Sequence, residues 1–227
     1  MSTQAGLNIV TDGLELQIDA ANKLGGNITD TNNIVNPTDL GTFVNGLTVV
    51  DGEFDFDGVD DYLDLGLFFN NHSDTMTLSF WVKHNTLAPI LQFLFYKRDT
   101  SNADFACGLV SSGGNFVDFG FSGGTTSVKS TSYPSVDTWY NVVCTVNFPV
   151  TKSIYYNGVL EDTNTSARAF QNVLTEPFVL GARKNDAPST GYSYHLNGQM
   201  KGINVWNRVL TAAEISQNYE ASKHRFE

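Results

Sequence analysis

Residues 53–57 read Glu-Phe-Asp-Phe-Asp. On an extended strand alternate side chains share a face, so Glu53, Asp55 and Asp57 fall on one side and Phe54 and Phe56 on the other. Two carboxyl groups held roughly 5–5.5 Å apart can serve as nucleophile and acid/base in glycoside hydrolysis with retention. The competing reading is structural. Asp57-Gly58 is a strong turn dipeptide, which makes the run an acidic strand edge entering a tight turn. That turn adds Asp60 and Asp61. Asp57, Asp60 and Asp61 together offer the hard oxygen ligands that suit Ca²⁺. Asx-turn hydrogen bonds alone would also account for their presence there.

Other chemistry has less to stand on. His72, His84, His195 and His224 are scattered, without the His–His or Cys–His spacings of a zinc site. Ser79, Ser111 and Ser132 have no base evident in sequence, and neither a nucleophile elbow nor a phosphate-binding loop is present. Asn27, Asn71 and Asn164 head N-x-Ser/Thr triplets, which matter only in a secretory host. Trp81, Trp139 and Trp206 have the planar faces that stack on sugars, but burial in a central strand is the commoner use of such residues. Cys107 and Cys144 each sit in an alternating apolar run (105, 107, 109 and 142, 144, 146). Buried reduced thiols are expected, with a disulfide as the alternative.

These groups must be placed by strands. Residues 14–20 (LELQIDA) alternate, with Leu14, Leu16 and Ile18 on one face. Residues 21–50 are rich in Asn, Thr, Gly and Asp and read as a long surface excursion. Residues 54–65 form a strand interrupted by the Asp-Gly turn. In residues 76–83 (MTLSFWVK), Met76, Leu78, Phe80 and Val82 point one way while Thr77, Ser79 and Trp81 point the other. Further strands are predicted over 90–96, 103–110, 115–121, 126–130, 139–147, 153–160 and 178–181. Asn157-Gly158 marks a hairpin and 182–195 reads as a polar loop.

The run 198–219 (GQMKGINVWNRVLTAAEISQNY) then predicts a strand, a turn and the chain's one convincing helix. Thr211 is placed as N-cap with Glu214 three residues on, the reciprocal capping box, and Leu210 with Ile215 forms a hydrophobic staple. Ile215 and Tyr219, four apart, give a narrow apolar stripe for docking. A dozen or so short strands with regular turns and one helix predict an all-β antiparallel sandwich. No linker or fixed-period repeat divides the 227 residues, so residues 1–227 are read as one domain.

The totals narrow the partners. With 13 Lys+Arg against 24 Asp+Glu the formal net charge is -11, which repels nucleic-acid phosphates and anionic membranes. Hydrophobic residues at 41% supply a sizeable core, and 16 Phe, 9 Tyr and 20 Gly suit strands and tight turns. No stretch has the roughly 20 apolar residues of a membrane helix. The first ten residues, MSTQAGLNIV, lack a secretory signal, so the expected location is the cytoplasm of a host cell.

Four stretches resemble the concanavalin A-like, laminin G-type jelly rolls, a superfamily that includes the pentraxins: FDGVDDYLDL, MTLSFWVK, WYNVV with SIYYNGVL, and the closing strand and helix. PFVLGARKND with LNGQMKGINVWNRVL is particularly similar to a pentraxin C-terminal half. The resemblance implies an antiparallel jelly-roll sandwich. It also implies a pentraxin-type Ca²⁺ site, whose loops correspond to residues 99–104 (DTSNAD) and 182–186 (ARKND). Here Arg183 stands at the carboxylate position, with Lys184 after it. Asn185 replaces an acidic ligand and Asp186 comes one residue late, so the two cations oppose Ca²⁺. Many β-glucanases share the architecture and resemble one another in Glu-x-Asp-x-Glu or Glu-x-Asp-x-x-Glu; this chain has Asp57 and then Gly58 where such a motif needs Glu.

GLELQIDAAN, FDGVDDY and NRVLTAAEISQNYEASKHRF also resemble jelly-roll modules of bacteriophage virion proteins. The resemblance implies a non-enzymatic virion surface protein in a capsid decoration, fibre or tail role. Its expected partners are other virion proteins, host-surface carbohydrate and further copies of itself, and its location the virion surface. A lectin module without a virion role and a β-glucanase-type hydrolase are the alternatives. No residue is assigned as catalytic, cofactor-binding or metal-binding; Ca²⁺ is the one candidate cofactor.

Overall fold

The computed structural model describes residues 8–20, 41–67, 75–88, 91–98, 104–111, 114–121, 127–147, 149–165, 177–185 and 191–226. Its first strands are β1 (Leu14–Ile18), β2 (Thr42–Val44), β3 (Thr48–Val50), β4 (Glu53–Asp57), β5 (Tyr62–Asp64) and β6 (Thr75–His84). Next come β7 (Leu91–Arg98), β8 (Asp104–Val110), β9 (Phe116–Phe121), β10 (Val128–Lys129), β11 (Tyr140–Asn147) and β12 (Thr151–Tyr156). The last are β13 (Val159–Asn164), β14 (Val179–Leu180), β15 (Arg183–Lys184), β16 (Tyr192–Ser193) and β17 (Asn197–Trp206), followed by α1 (Ala212–Ser222).

Two antiparallel sheets form a jelly-roll sandwich. The larger has eight strands in the order β13-β12-β11-β6-β17-β4-β3, with β1 also paired to β17. The smaller has seven, in the order β10-β9-β8-β7-β14-β5-β2, and β15 and β16 make a separate hairpin. Met76, Leu78, Phe80 and Val82 of β6 all enter the core between the sheets, as their alternation predicts. From the facing sheet, Phe95, Phe105, Phe119 and Phe178 meet them there.

The excursion predicted for residues 21–50 needs correction over its last ten residues. Residues 41–50 carry β2 and β3, with Leu47 buried between them, while residues 21–40 lie outside the described residues. Strands of three residues are too short to display a two-residue period. The turn joining them was nonetheless written in Asn45-Gly46, both with positive φ (59° and 114°). Asn45-Gly46 carries the chain from one sheet to the other, whereas Asn157-Gly158 makes a hairpin between the paired strands β12 and β13, as predicted. The polar loop expected over 182–195 contains the β15–β16 hairpin, and residues 186–190 lie outside the described residues.

The closing helix docks on the outer face of the larger sheet. Thr211 Oγ1 accepts from Glu214 N at 3.3 Å, and Glu214 Oε2 accepts from Thr211 N at 2.8 Å, completing the capping box. Arg208 adds an ion pair to Glu214 at 2.6 Å; its guanidinium, together with the Thr211 N–H, holds the Glu214 carboxyl down at about 2. Leu210 and Ile215 pack with Trp206, Val143 and Tyr155, so the staple anchors on outward-facing residues of β11, β12 and β17. Of the predicted stripe Ile215 is buried and Tyr219 is half-buried, stacked on Trp81; Asn218 is buried as well, and its Oδ1 accepts from Val10 N at 2.7 Å. Replacing Thr211 by Ala removes one reciprocal bond, and urea unfolding should show a loss of about 1 kcal/mol. Ligand binding by the folded variant should be unchanged.

Candidate functional site

Strand β4 carries both candidate chemistries. Phe54 and Phe56 point into the core, and Glu53, Asp55 and Asp57 share the outward face, as the alternation requires. The outward carboxylates are held by neighbouring strands. Glu53 Oε1 accepts from Lys201 Nζ of β17 at 3.0 Å, and Glu53 Oε2 lies 3.6 Å from Lys83 Nζ of β6. Asp55 Oδ1 accepts from Gln199 Nε2 at 2.5 Å. Lys83 and Lys201 also stand 5.0 Å from the ring centre of half-buried Trp139, and Lys201 lies 4.7 Å from that of Phe226. The result is a ladder of charge pairs across three strands, with both oxygens of Glu53 facing ammonium groups. Lys83, Lys201 and Gln199 had no mark in the sequence, because their pairing with β4 is set by the order and register of strands distant in the chain.

At the far end of β4 the chain crosses from the larger sheet to the smaller. Asp57 Oδ1 accepts from Val59 N at 2.7 Å and Asp60 N at 3.4 Å, so the Asx turn predicted for this loop is present. Asp61 Oδ2 accepts from Asp57 N at 3.1 Å. Two further crossings meet the same corner. Asn45 Nδ2, in the β2–β3 turn, donates to the Asp60 carbonyl at 3.1 Å. His195 Nδ1, just before β17, donates to the Asp61 carbonyl at 3.2 Å. Gly58 is required at φ +80°: a Cβ there would lie 2.6 Å from Asn197 Cβ.

One carboxylate oxygen from each of Asp57, Asp60 and Asp61 lies within 4.8 Å of the other two. Asp57 and Asp60 are exposed, whereas Asp61 is buried, at 3% exposure. Burial pushes the Asp61 carboxyl up; the Asp57 backbone N–H opposes that, and the charges of Asp57, Asp60 and Asp55 add to it. Among the described residues this is the one group of three or more His, Cys, Asp or Glu side chains spaced to hold a metal ion.

The remaining sequence candidates are placed elsewhere. Arg183 and Lys184 lie in β15, and the Asn185 Oδ1 accepts from Ser193 Oγ across the hairpin. Residues 99–103 and Asp186 lie outside the described residues. Cys107 and Cys144 are free and buried on opposing sheets; burial, together with the adjacent Cys144, pushes the Cys107 thiol up. Trp81 and Trp206 are buried as expected, at 5% and 1% exposure, and Trp81 stacks on Phe226 at 3.9 Å. His84 is fully buried, which lowers it to about 4, and so is neutral at pH 7.

Beneath the helix, between Trp81, Trp206, Asn204 and Asn218, lies a cavity of about 50 Å³. Small-molecule sites occupy roughly 300–1,000 Å³, so this space suits water rather than a sugar. Asn204 Oδ1 and Asn218 Nδ2, both without partners among the described residues, supply polar contacts for it.

A family profile described as the concanavalin A-like lectin/glucanases superfamily matches residues 57–216. The chain belongs to this superfamily. The match begins at the acidic corner and ends within α1, so it covers nearly all of the four stretches that resemble laminin G-type jelly rolls, while residues 13–22 lie outside it. No curated protein matches the chain in sequence. Among solved structures, the superfamily fold of this chain is similar to that of Trypanosoma rangeli sialidase in complex with sialic acid. That similarity has TM-score 0.70 at 15% identity and covers 98% of this chain and 35% of the sialidase chain. It is also similar to the receptor binding domain of botulinum neurotoxin C/D mosaic serotype, with TM-score 0.69 at 14% identity, covering 94% of this chain and 52% of that one. The chain thus spans about a third of the sialidase and half of the toxin fragment, and the likeness is one of fold. Enzymes and binding domains both use this frame.

Proposed function

We propose that this jelly roll is a non-enzymatic recognition module displayed on a bacteriophage virion surface, where its rim loops contact host-surface glycan. The observation that carries the non-enzymatic reading is the ladder on β4. Glu53 is bracketed by Lys201 and Lys83, and Asp55 is engaged by Gln199. A retaining hydrolase needs two carboxyl groups free to face the scissile bond, and an inverting one needs room for water between them. Neither condition suits carboxylates that serve as cross-strand links.

Glycan contact is supported by the superfamily, whose description includes lectins, and by two neighbours whose own chains include a sialidase bound to sialic acid and a toxin's receptor binding domain. A rigid sandwich that carries loops at its rim is suited to such contact. The virion setting rests on the stretches GLELQIDAAN, FDGVDDY and NRVLTAAEISQNYEASKHRF. The net charge of -11 would keep such a module from adhering to nucleic acid released at lysis.

Particles purified through a density gradient and washed at high salt test the setting. The chain should remain with them at fixed stoichiometry and be reached by antibody on intact particles; its loss to the soluble fraction overturns the virion reading. On a glycan array the isolated chain should retain host-surface glycans without cleaving them. Release of reducing sugar from β-glucan that Glu53→Gln abolishes would establish the hydrolase instead.

A further inference from the structure

The acidic corner at the end of β4 is more than a turn. Its Asx hydrogen bonds explain Asp57, whose Oδ1 caps the N–H groups of Val59 and Asp60. They do not explain Asp61. That side chain is 3% exposed, uses Oδ2 to accept from Asp57 N, and has no hydrogen-bond partner for Oδ1 among the described residues. A buried carboxylate oxygen without a partner is costly, and native structures satisfy such atoms with a donor, water or cation. Asp57 and Asp60 bring two more carboxylates to the same turn. Oxygens from Asp57 and Asp60 lie within 4.8 Å of one on Asp61, so the turn gathers two exposed carboxylates beside a buried one that has only one of its oxygens hydrogen-bonded.

We propose that Asp57, Asp60 and Asp61 bind one Ca²⁺ ion that staples the two sheets of the sandwich together. The donors are all hard carboxylate oxygens, which select Ca²⁺ over the softer transition metals. Two Ca–O bonds of 2.3–2.6 Å span roughly 4.6–5.2 Å, so three oxygens within 4.8 Å of one another fit around a single ion. The exposure of Asp57 and Asp60 leaves the outer side of the site open to water ligands, which Ca²⁺ needs to complete six to eight contacts. Position gives the ion its role. Asp57 ends β4 in the larger sheet and Asp61 directly precedes β5 in the smaller, so an ion held by both spans the crossover. Asn45 and His195 bring the other two crossings to the same turn, and fixing it also fixes the rim on which they lie. The site stands independently of the glycan and virion readings.

Calorimetric titration of the whole chain with CaCl₂, after removal of divalent ions by chelator, tests this directly. One site per chain is expected, with a Kd of about 10⁻⁴–10⁻³ M as in other open oxygen sites, and the thermal midpoint should rise with added CaCl₂. Asp60→Asn is the informative variant. Asp60 is exposed and its backbone carbonyl, not its carboxylate, bonds to Asn45, so the fold should persist. Its Ca²⁺ affinity should fall about tenfold or more. Asp57→Asn keeps an acceptor for the Asx turn while removing charge, and should weaken binding in the same way. Absence of binding by the folded wild-type chain at millimolar Ca²⁺ would mean that Asp61 is satisfied by a proton, and would overturn the site. Equal affinity of wild type and both variants, or equal affinity for Mg²⁺, would overturn it as well.

Discussion

Phe95→Ala is expected to destabilise the protein by about 3–5 kcal/mol. Phe95 is fully buried in β7, with ring centres at 5.4 Å to Phe105, 5.7 Å to Phe178, 5.9 Å to Phe119 and 6.1 Å to Phe80. Phe80 belongs to the facing sheet, so this ring is where the two layers interlock. Truncation to Ala leaves a cavity that rings anchored in four other strands or strand-flanking segments cannot collapse to fill, and the residual void adds to the lost transfer energy. Two edge-to-face contacts, to Phe80 and Phe119, worth about 0.5–1.5 kcal/mol each beyond their area, are lost at once, although not additively. A domain stable by about 5–15 kcal/mol would surrender a large share of that margin. Urea unfolding monitored by Trp fluorescence measures it; a loss below about 1 kcal/mol would show that Phe95 is not the keystone of the sandwich.

Gly181→Ala should cost about 2–5 kcal/mol, for a different reason. Gly181 has φ +84°, and a Cβ there would lie 2.4 Å from Cε1 and 2.6 Å from Cδ1 of Phe56. Its backbone has little freedom to retreat: its N–H donates to the Leu94 carbonyl at 3.1 Å, and its carbonyl accepts from Leu196 N at 2.8 Å. A left-handed conformation costs an L-residue about 1–2 kcal/mol, and overpacking adds about 1–3 kcal/mol. The strain also has a direction. Phe56 is the core-facing neighbour of Asp57 on β4, so displacing its ring should disturb the acidic corner as well as the core. Urea unfolding and Ca²⁺ titration of the same variant measure the two effects, and a variant as stable as wild type would contradict the close approach of Gly181 to Phe56.

The local devices were legible because their causes are local. The Asx turn at Asp57 and the Asn157-Gly158 hairpin depend on backbone conformations that few residue types favour. The capping box at Thr211 and Glu214 closes within four residues. Strand β6 showed itself through the alternation of residues 76–83, and the set of such strands with one helix limited the fold to a sandwich. Strands β2 and β3 escaped because three residues hold no period, although Asn45-Gly46 between them was a turn signal that could have placed them.

The fate of Glu53 was not legible at all. Its sequence neighbourhood permits a catalytic carboxylate; its neutralisation by Lys83 and Lys201 follows only from β17 lying between β6 and β4 in a particular register. The same holds for Trp139, half-buried under two ammonium groups while Trp81 and Trp206 are buried outright. Residue types and short spacings by themselves determined that this chain builds an antiparallel sandwich, closes it with a capped helix and turns sharply at Asp57-Gly58, because propensity, periodicity and capping act over a few residues. Only the tertiary structure decided that Glu53 links strands, and that Asp61 is buried at a corner where three crossings meet. Burial and charge pairing are properties of register between distant strands, and no short window of sequence contains them.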